Sequence, residues 1–399
     1  MNQTHYFARA FQWTAVGAAV LLAFAFEWLS PVYALIALML GHLFLGTFKR
    51  PQPWTLLLLA WYLWQVTSIS WSARTAEGWE NVLRLLPLAL LPALGRLAPV
   101  RFDRARLWNA FALAVVVSWT FVFFQTLIND GWAGYKNFFL QSRLSLHYQS
   151  FYLLIAAIIL ENRAWKLPPW LRWMSIAGIA WLLLGILLLS ARIHLLLVAF
   201  VILWRSVELW KAHPAWRPVL ARATAGILAV SFAAMLLLPT PRSRMLDLVN
   251  ELRSVRTMVD GKQTNHRVFI WRSGWDVIEQ HLWSGAGSGG AEYELNQLLQ
   301  QCDAPFYRGT ERYFLYEQDY NYHNIYLQSW AQGGLVQLLL WLALLIWTVR
   351  RQRGWARLAT VVFALMGLTE SLLERQAGVL FLALLWWGSW QEDPPVDAE

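Results

Sequence analysis

The chain has 399 residues, of which 58% are hydrophobic and 14% are charged, and its mean hydropathy is +0.39. Soluble domains carry roughly a quarter charged residues, so this composition excludes an ordinary soluble protein. The formal net charge is +9, but the basic residues are spread among loops, which argues against a nucleic-acid-binding patch. The single cysteine, Cys302, cannot form an internal disulfide.

Apolar runs of about twenty residues, the length that crosses a hydrocarbon core, recur along the whole chain. The short alternating segments of a membrane barrel are absent. We therefore predict an all-α polytopic membrane protein with about twelve transmembrane helices and a large helical loop on the outer side. The first apolar segment is interpreted as an uncleaved helix, because no small-residue cleavage site follows it. The predicted spans are 11–28, 31–48, 54–71, 80–97, 106–128, 147–161, 171–189, 191–210, 218–239, 324–349, 356–372 and 375–390.

The distribution of basic residues predicts the orientation. Loops on one side of the predicted bundle contain more than half of the Lys and Arg residues, whereas short loops on the other side contain few. Because cytoplasmic loops are enriched in Lys and Arg, both termini are predicted to be cytoplasmic and residues 240–321 to lie outside. The predicted domains are spans 1 to 9 at 1–239, a loop domain at 240–322, three spans at 323–390 and a cytoplasmic tail at 391–399.

Apolar side chains within the outer loop recur at helical spacing, and a glycine-rich stretch follows them. The spacing of Val268, Trp271, Trp275, Ile278 and Leu282 predicts a helix whose apolar stripe contains these residues. The next residues, GAGSGG, match G-x-G-x-x-G only formally, because a dinucleotide fold needs a preceding strand. A flexible turn is the favoured interpretation, and phosphate capture by exposed N–H groups is the alternative.

Four arginines are candidates for binding an anion. Arg192 lies in an almost unbroken apolar run, where a charge is costly unless it faces a cavity and meets an anion. Arg267 and Arg272 flank the apolar stripe of the loop, where a solvated helix face is the alternative, and Arg143 could be ordinary interface charge. A guanidinium bonds two oxygens with its planar fork, so a pyrophosphate is its natural partner.

A histidine stands where the polar loop meets the next apolar run, in the sequence YNYHNIYLQSWAQGG at 320–334. The imidazole of His323 is a candidate for proton transfer, and anchoring of the helix end at the membrane interface is the alternative. Glu317 and Asp319 could hold a divalent cation, although two loop carboxylates are more often solvated. The aromatic residues of the loop could stack on sugar rings or form an interfacial belt.

This junction resembles the O-antigen ligase and polymerase superfamily. The ligase pattern is His, then Asn, Ser or Gln, nine free residues, Gly, two free residues, and finally Gly, Thr or Tyr. The chain has His323, Asn324 and Gly334 at the matching positions and departs at the last one with Gln337. Members also carry an Arg shortly before a Trp in the loop, a glycine-rich turn, and an Arg after a small residue in a central span. The matching residues are Arg267, Trp271, 285–287 and Arg192.

The resemblance implies an inner-membrane O-antigen ligase with a periplasmic loop and a periplasmic active site. Such an enzyme transfers O-antigen polysaccharide from undecaprenyl pyrophosphate to a sugar hydroxyl of lipid A–core. We expect an inverting reaction that needs neither a metal nor a cofactor. His323 is then the general base, and a pyrophosphate-binding set supplies positive charge. That set is Arg192 and Arg267, with Arg272 and Arg143 as weaker candidates, and the residues expected to orient the imidazole are Asn324, Tyr322 and Tyr320.

Three alternatives remain open. An O-antigen polymerase uses the same donor with a sugar acceptor on another undecaprenyl carrier, and a protein O-oligosaccharyltransferase belongs to the same superfamily. A transporter of lipid-linked polysaccharide would instead use the arginines to line a translocation path. The sequence contains no internal repeat of the kind that many transporters show, and transport leaves the large outer loop unexplained.

Overall fold

The structure is a computed structural model of the chain. The residues that it describes are 3–24, 30–45, 50–97, 103–131, 144–189, 192–237, 242, 246, 266–301, 305–308, 311–314 and 319–390. Arg143, Cys302 and Glu317, which the sequence singles out, lie outside these ranges.

Fourteen α-helices account for most of the described residues. They are α1 (Gln3–Ala23), α2 (Ser30–Leu45), α3 (Pro53–Ser68), α4 (Thr75–Leu97), α5 (Arg104–Asp130), α6 (Leu146–Ala164), α7 (Pro169–Leu189), α8 (Arg192–Ala212), α9 (Arg217–Leu237), α10 (His266–Gln280), α11 (Gly290–Gln300), α12 (Ile325–Arg351), α13 (Gly354–Met366) and α14 (Gln376–Trp390). Short 3-10 turns cover Ile69–Trp71, Pro214–Trp216 and Leu372–Glu374.

Every predicted span overlaps one of the helices α1 to α9 or α12 to α14. The overlap has a physical reason, because a long apolar segment satisfies its backbone groups in lipid only by forming a helix or a closed barrel. Among the described helices, four are long and apolar enough to cross a membrane. They are Arg104–Asn129, Pro169–Leu189, Arg192–Ala212 and Ile325–Arg351. The total of twelve spans stays a prediction.

Two antiparallel strands form a hairpin between α11 and α12. They are β1 (Pro305–Arg308) and β2 (Glu311–Phe314), and their register pairs Phe306 with Tyr313. Aromatic residues favour strands, and both segments contain them. The all-α prediction therefore holds for the described chain apart from this short hairpin.

The described residues divide into two compact units. The first comprises Met1–Ala110 and Thr257–Glu399, and the second comprises Phe111–Arg256. In the first unit, α4 packs against α2, α3 and α14, while α12 packs against α3, α10 and α11. The helices α10 and α11 of the predicted outer loop thus share a core with α12.

The second unit is built around α6. Every residue from 148 to 159 is buried, and α6 packs against α7 and α8. The helices α7, α8 and α9 expose large apolar side chains, among them Trp173 at 70% and Val230 at 70%. Exposed apolar surface of this extent is typical of helices that face lipid.

Helix α10 confirms the predicted helical segment of the loop, and its buried face matches the predicted stripe in part, because Ile278 is fully buried and Trp271 packs against the same core. Trp275, at the centre of that stripe, is 44% exposed, whereas Ile270 and Val277 are fully buried or nearly so. Gly274 on this helix accommodates the ring of Tyr322. A Cβ at position 274 would lie 2.7 Å from Cε1 of Tyr322, which is too close for any larger residue.

Candidate active site

Asn324 sets the start of α12. Its side-chain oxygen accepts hydrogen bonds from the N–H groups of Tyr326 at 2.9 Å and Leu327 at 3.0 Å, which makes it the N-cap. Its amide nitrogen donates to the carbonyl of Leu368 at 3.0 Å, and its own N–H donates to Oγ of Ser371 at 3.1 Å. Asn324 therefore fixes the start of α12 directly after His323, and the expected contact with the imidazole ring stays a prediction.

His323 adopts an uncommon backbone conformation. Its φ angle is +44°, and it is the one positive φ outside glycine among the described residues. The side chain of Asn321 supports this turn by accepting the N–H of His323 at 2.9 Å. Non-glycine residues at positive φ occur most often at turns and functional sites, where the surrounding structure holds them.

A carboxylate and a guanidinium lie beside this imidazole. Nδ1 of His323 is 3.5 Å from Oε2 of Glu370, and the other carboxylate oxygen of Glu370 is 2.5 Å from Nη2 of Arg267. The side chain of Glu370 is only 10% exposed, so both contacts are shielded from bulk water. The structure thus brings together the predicted histidine and one predicted arginine, with an acid between them.

Glu370 is the residue that sequence reasoning missed. It falls inside the predicted span 356–372, but α13 ends at Met366, and Glu370 lies in the connection that follows. An acidic residue within an apparent span is a functional candidate by default, so the sequence did contain a signal. The signal could not name the partner, because His323 and Glu370 are 47 residues apart.

The two tyrosines hold the segment before the histidine. Tyr322 is fully buried, and its hydroxyl donates to the carbonyl of Ala291 at 3.0 Å. Burial raises the pKa of Tyr322 well above its usual range. Tyr320 is bound at its backbone, where its N–H donates to the side chain of Asn296 at 2.8 Å. Both tyrosines therefore fix the position of the backbone segment that leads to His323.

Helix α12 is broken at Gly333 and Gly334. Gly334 has φ of +69° and ψ of −169°, a conformation that is essentially restricted to glycine. A Cβ at position 334 would overlap the carbonyl of Trp283. The glycine of the histidine pattern is thus required by its backbone angles and by its close contact with another chain segment.

The glycine-rich turn at 285–290 packs into this break. The N–H of Ala286 donates to the carbonyl of Ala331 at 2.8 Å, and the N–H of Gly287 donates to the carbonyl of Gln332 at 3.0 Å. These bonds satisfy carbonyls that the interrupted helix leaves without an internal partner. Because both N–H groups are used inside the protein, the turn caps the broken helix, and the geometry argues against phosphate capture by these two groups.

A buried polar cluster lies behind the turn. Oε1 of Glu292 accepts hydrogen bonds from the side-chain amides of Gln328 and Gln332, the latter at 2.6 Å. Burial, with a smaller contribution from the carboxylate of Glu374, raises the pKa of Glu292 to about 8. Arg84 forms an ion pair with Glu374 at 2.8 Å. Glu292 is therefore a carboxyl group that holds its proton near neutral pH.

The other candidate arginines differ in their surroundings. Arg272 is exposed on α10. Arg192 is the first residue of α8 in the second unit and is half-buried. Two residues further on, His194 is fully buried, and its ring lies 6.0 Å from that of His147. A helix N-terminus carries partial positive charge, so the start of α8 reinforces the charge of Arg192.

The sequence also suggested a metal held by Glu317 and Asp319. Asp319 is exposed, and its predicted partner Glu317 lies outside the described ranges. No group of three or more His, Cys, Asp or Glu residues suited to a metal occurs in the described part of the chain.

Comparison with protein families matches residues 137–342 to the family described as O-Antigen ligase. This match covers more than half of the chain and includes Arg192, Arg267 and His323. The chain belongs to the O-antigen ligase family. Members of this family are membrane proteins of glycosyltransferase type that act on lipid-linked polysaccharides. No individually curated protein matched the chain.

Proposed function

We propose that this member of the family is an O-antigen ligase of the bacterial inner membrane. It transfers O-antigen polysaccharide from undecaprenyl pyrophosphate to a sugar hydroxyl of lipid A–core on the periplasmic side. The observation that carries this proposal is the group formed by His323, Glu370 and Arg267, which combines a base with a phosphate-binding cation. The membership of the family supports the choice of donor.

His323 removes the proton from the acceptor hydroxyl. A carboxylate beside Nδ1 favours the tautomer with its proton on Nδ1, which leaves the lone pair of the base on Nε2. The hydroxyl oxygen then attacks the anomeric carbon as the bond to the pyrophosphate oxygen breaks. Attack opposite the leaving group inverts the anomeric configuration.

Arg192 and Arg267 stabilise the pyrophosphate as it leaves, with Arg272 and Arg143 in weaker roles. A guanidinium has five N–H donors, so a contact with Glu370 is compatible with phosphate binding by the same side chain. The arginines neutralise the charge that a metal would otherwise balance, and we therefore expect no metal requirement.

The membrane arrangement follows from the positive-inside rule. Twelve spans place both termini in the cytoplasm and residues 240–321 in the periplasm. The helical positions and the four helices of membrane-spanning length are consistent with this layout. Both lipid substrates would then reach the periplasmic site sideways from the bilayer.

Reconstituted transfer with purified donor and lipid A–core tests the proposal. His323→Ala is expected to lower the rate by about 10² to 10⁴-fold, because the base is lost, while donor binding is retained. The wild-type rate is expected to survive a chelator. Loss of activity with chelator and recovery with a divalent ion, combined with an active His323→Ala variant, would show that a metal does the chemistry.

Genetic deletion separates the related activities. Loss of a ligase leaves long polysaccharide on the lipid carrier and bare core, and this is the expected result. Core that carries one repeat unit would identify a polymerase instead. Transfer to a protein acceptor would identify an oligosaccharyltransferase, and carrier-linked polysaccharide retained on the cytoplasmic side would identify a transporter.

A further inference from the structure

Gln328 lies in the first turns of α12 and is 3% exposed. Its side-chain amide contacts three separate segments of the first unit. These are the residues before His323, the connection after α13, and helix α11. A buried amide with partners on this many segments needs all of them in place, because each unmade hydrogen bond is costly.

The oxygen end of the amide joins the two segments that carry the proposed base and its acid. Oε1 of Gln328 accepts the N–H of Tyr322 at 3.2 Å and the hydroxyl of Ser371 at 3.2 Å. Tyr322 directly precedes His323, and Ser371 directly follows Glu370. One oxygen atom therefore ties the immediate neighbours of both groups.

The nitrogen end fixes the direction of the amide. Nε2 of Gln328 donates to Oε1 of Glu292, which also accepts from Gln332. A carboxyl oxygen on this side and two donors on the other leave one amide orientation that satisfies every group. Glu292 thereby sets the orientation in which Gln328 can hold both segments.

We propose that Gln328, oriented by Glu292, is a positioning residue that holds His323 against Glu370. This inference rests on the proposed role of His323 as the base. The contact between Nδ1 of His323 and Oε2 of Glu370 measures 3.5 Å, at the limit of a hydrogen bond. A small shift of either segment breaks it, so the residue that ties the segments together controls the imidazole tautomer.

The test exchanges the hydrogen-bond donor and acceptor between the side chains of Gln328 and Glu292. Gln328→Glu replaces the N–H donor that faces Oε1 of Glu292 with an oxygen, and it should lower kcat by about 10 to 100-fold, with the donor KM nearly unchanged. Glu292→Gln keeps an acceptor oxygen for both glutamines and should have a small effect. The double variant Gln328→Glu, Glu292→Gln restores a donor on one side and an acceptor on the other, and should recover most of the lost rate.

Controls separate positioning from folding. Gln328→Leu removes the tie while preserving volume, and Gln297→Leu makes the same change at an exposed position on α11. Each variant is reconstituted at equal protein amount, and kcat and the donor KM are measured separately. The expected result is a kcat defect in Gln328→Leu and a wild-type rate in Gln297→Leu.

Three results overturn the inference, and the last of them is distinguishable because it also overturns the proposed function. A double variant no better than Gln328→Glu, or a wild-type kcat in Gln328→Leu, shows that Gln328 does not position the base. Loss of activity in His323→Ala measured alongside leaves the proposed function intact in that case. A wild-type rate in His323→Ala overturns the proposed function and this inference together.

Discussion

Arg267 and Arg192 present the same guanidinium group in two different settings. Arg267 lies on α10 of the first unit, where Glu370 contacts it at 2.5 Å. Arg192 opens α8 of the second unit, a helix long and apolar enough to cross a membrane. The first setting contains a carboxylate, and the second contains the positive end of a helix.

We expect the two arginines to contribute differently to pyrophosphate binding. The carboxylate fixes the Arg267 guanidinium in place beside His323. The end of α8 adds to the charge of Arg192, which favours an incoming anion such as a pyrophosphate. We therefore expect Arg192 to supply attraction, and Arg267 to supply attraction together with the geometry around His323.

Among these substitutions, removal of either guanidinium is expected to cause the largest loss of transfer activity. Arg192→Ala and Arg267→Ala should abolish transfer, and the Lys variants should recover little because an ammonium lacks the planar fork. Arg267→Ala should also lower the melting temperature in detergent, because Glu370 loses a buried partner. Reconstituted transfer and thermal unfolding measure both effects.

Two exposed arginines serve as controls for Arg192 and Arg267. Arg272→Ala, on the exposed face of the same helix as Arg267, should cause a smaller loss, and the exposed Arg357 should tolerate Ala. Full activity in both Arg192→Ala and Arg267→Ala would mean that these residues are structural.

Substitution of Glu370 tests what this carboxylate contributes beside Arg267. Glu370→Gln keeps the shape of the side chain but removes the charge that faces His323 and Arg267. We expect a fall in kcat of about 10²-fold with little change in the donor KM, because the imidazole loses its preferred tautomer. Asp276→Asn, exposed on α10, is the matched control. An unchanged kcat in Glu370→Gln would remove the acid from the mechanism.

The break in α12 is expected to require glycine at position 334. Gly334→Ala should destabilise the protein by about 1–3 kcal/mol from its backbone angles alone, and by more because of the clash with Trp283. A Cβ added at Gly17 on α1 would meet no atom within 4 Å, so Gly17→Ala should be tolerated. Thermal unfolding of both variants in the same detergent checks this, and equal melting temperatures would contradict it.

Protonation of Glu292 should make the stability of the folded protein change gradually with pH. Its pKa is raised from 4.5 to about 8 in the folded protein, so the folded state binds the proton more tightly than the unfolded state. Stability is then greatest below about pH 4.5 as far as this group is concerned, and it declines as the pH rises towards 8. Glu292→Gln should flatten this part of the melting-temperature profile. An identical slope in the variant would assign the dependence to other groups.

The sequence by itself determined the positions of the helices. Long apolar runs have few ways to satisfy their backbone in lipid, so each predicted span overlaps a helix. The histidine pattern likewise located His323, Asn324 and Gly334, and the family match confirms the superfamily that this pattern indicated. These features are local, because each depends on residues that are close along the chain.

The tertiary structure decided the contacts of those residues. Arg267 and Glu370 are 103 residues apart, and no periodicity in the sequence relates them. On α10, Gly274 leaves room for the ring of Tyr322, which a count of apolar residues does not reveal. The partners of Asn324 beyond its own helix, Leu368 and Ser371, lie in the connection after α13 and are more than forty residues away along the chain. Hydrogen-bond partners are chosen by packing in three dimensions, and only the fold brings these distant segments together.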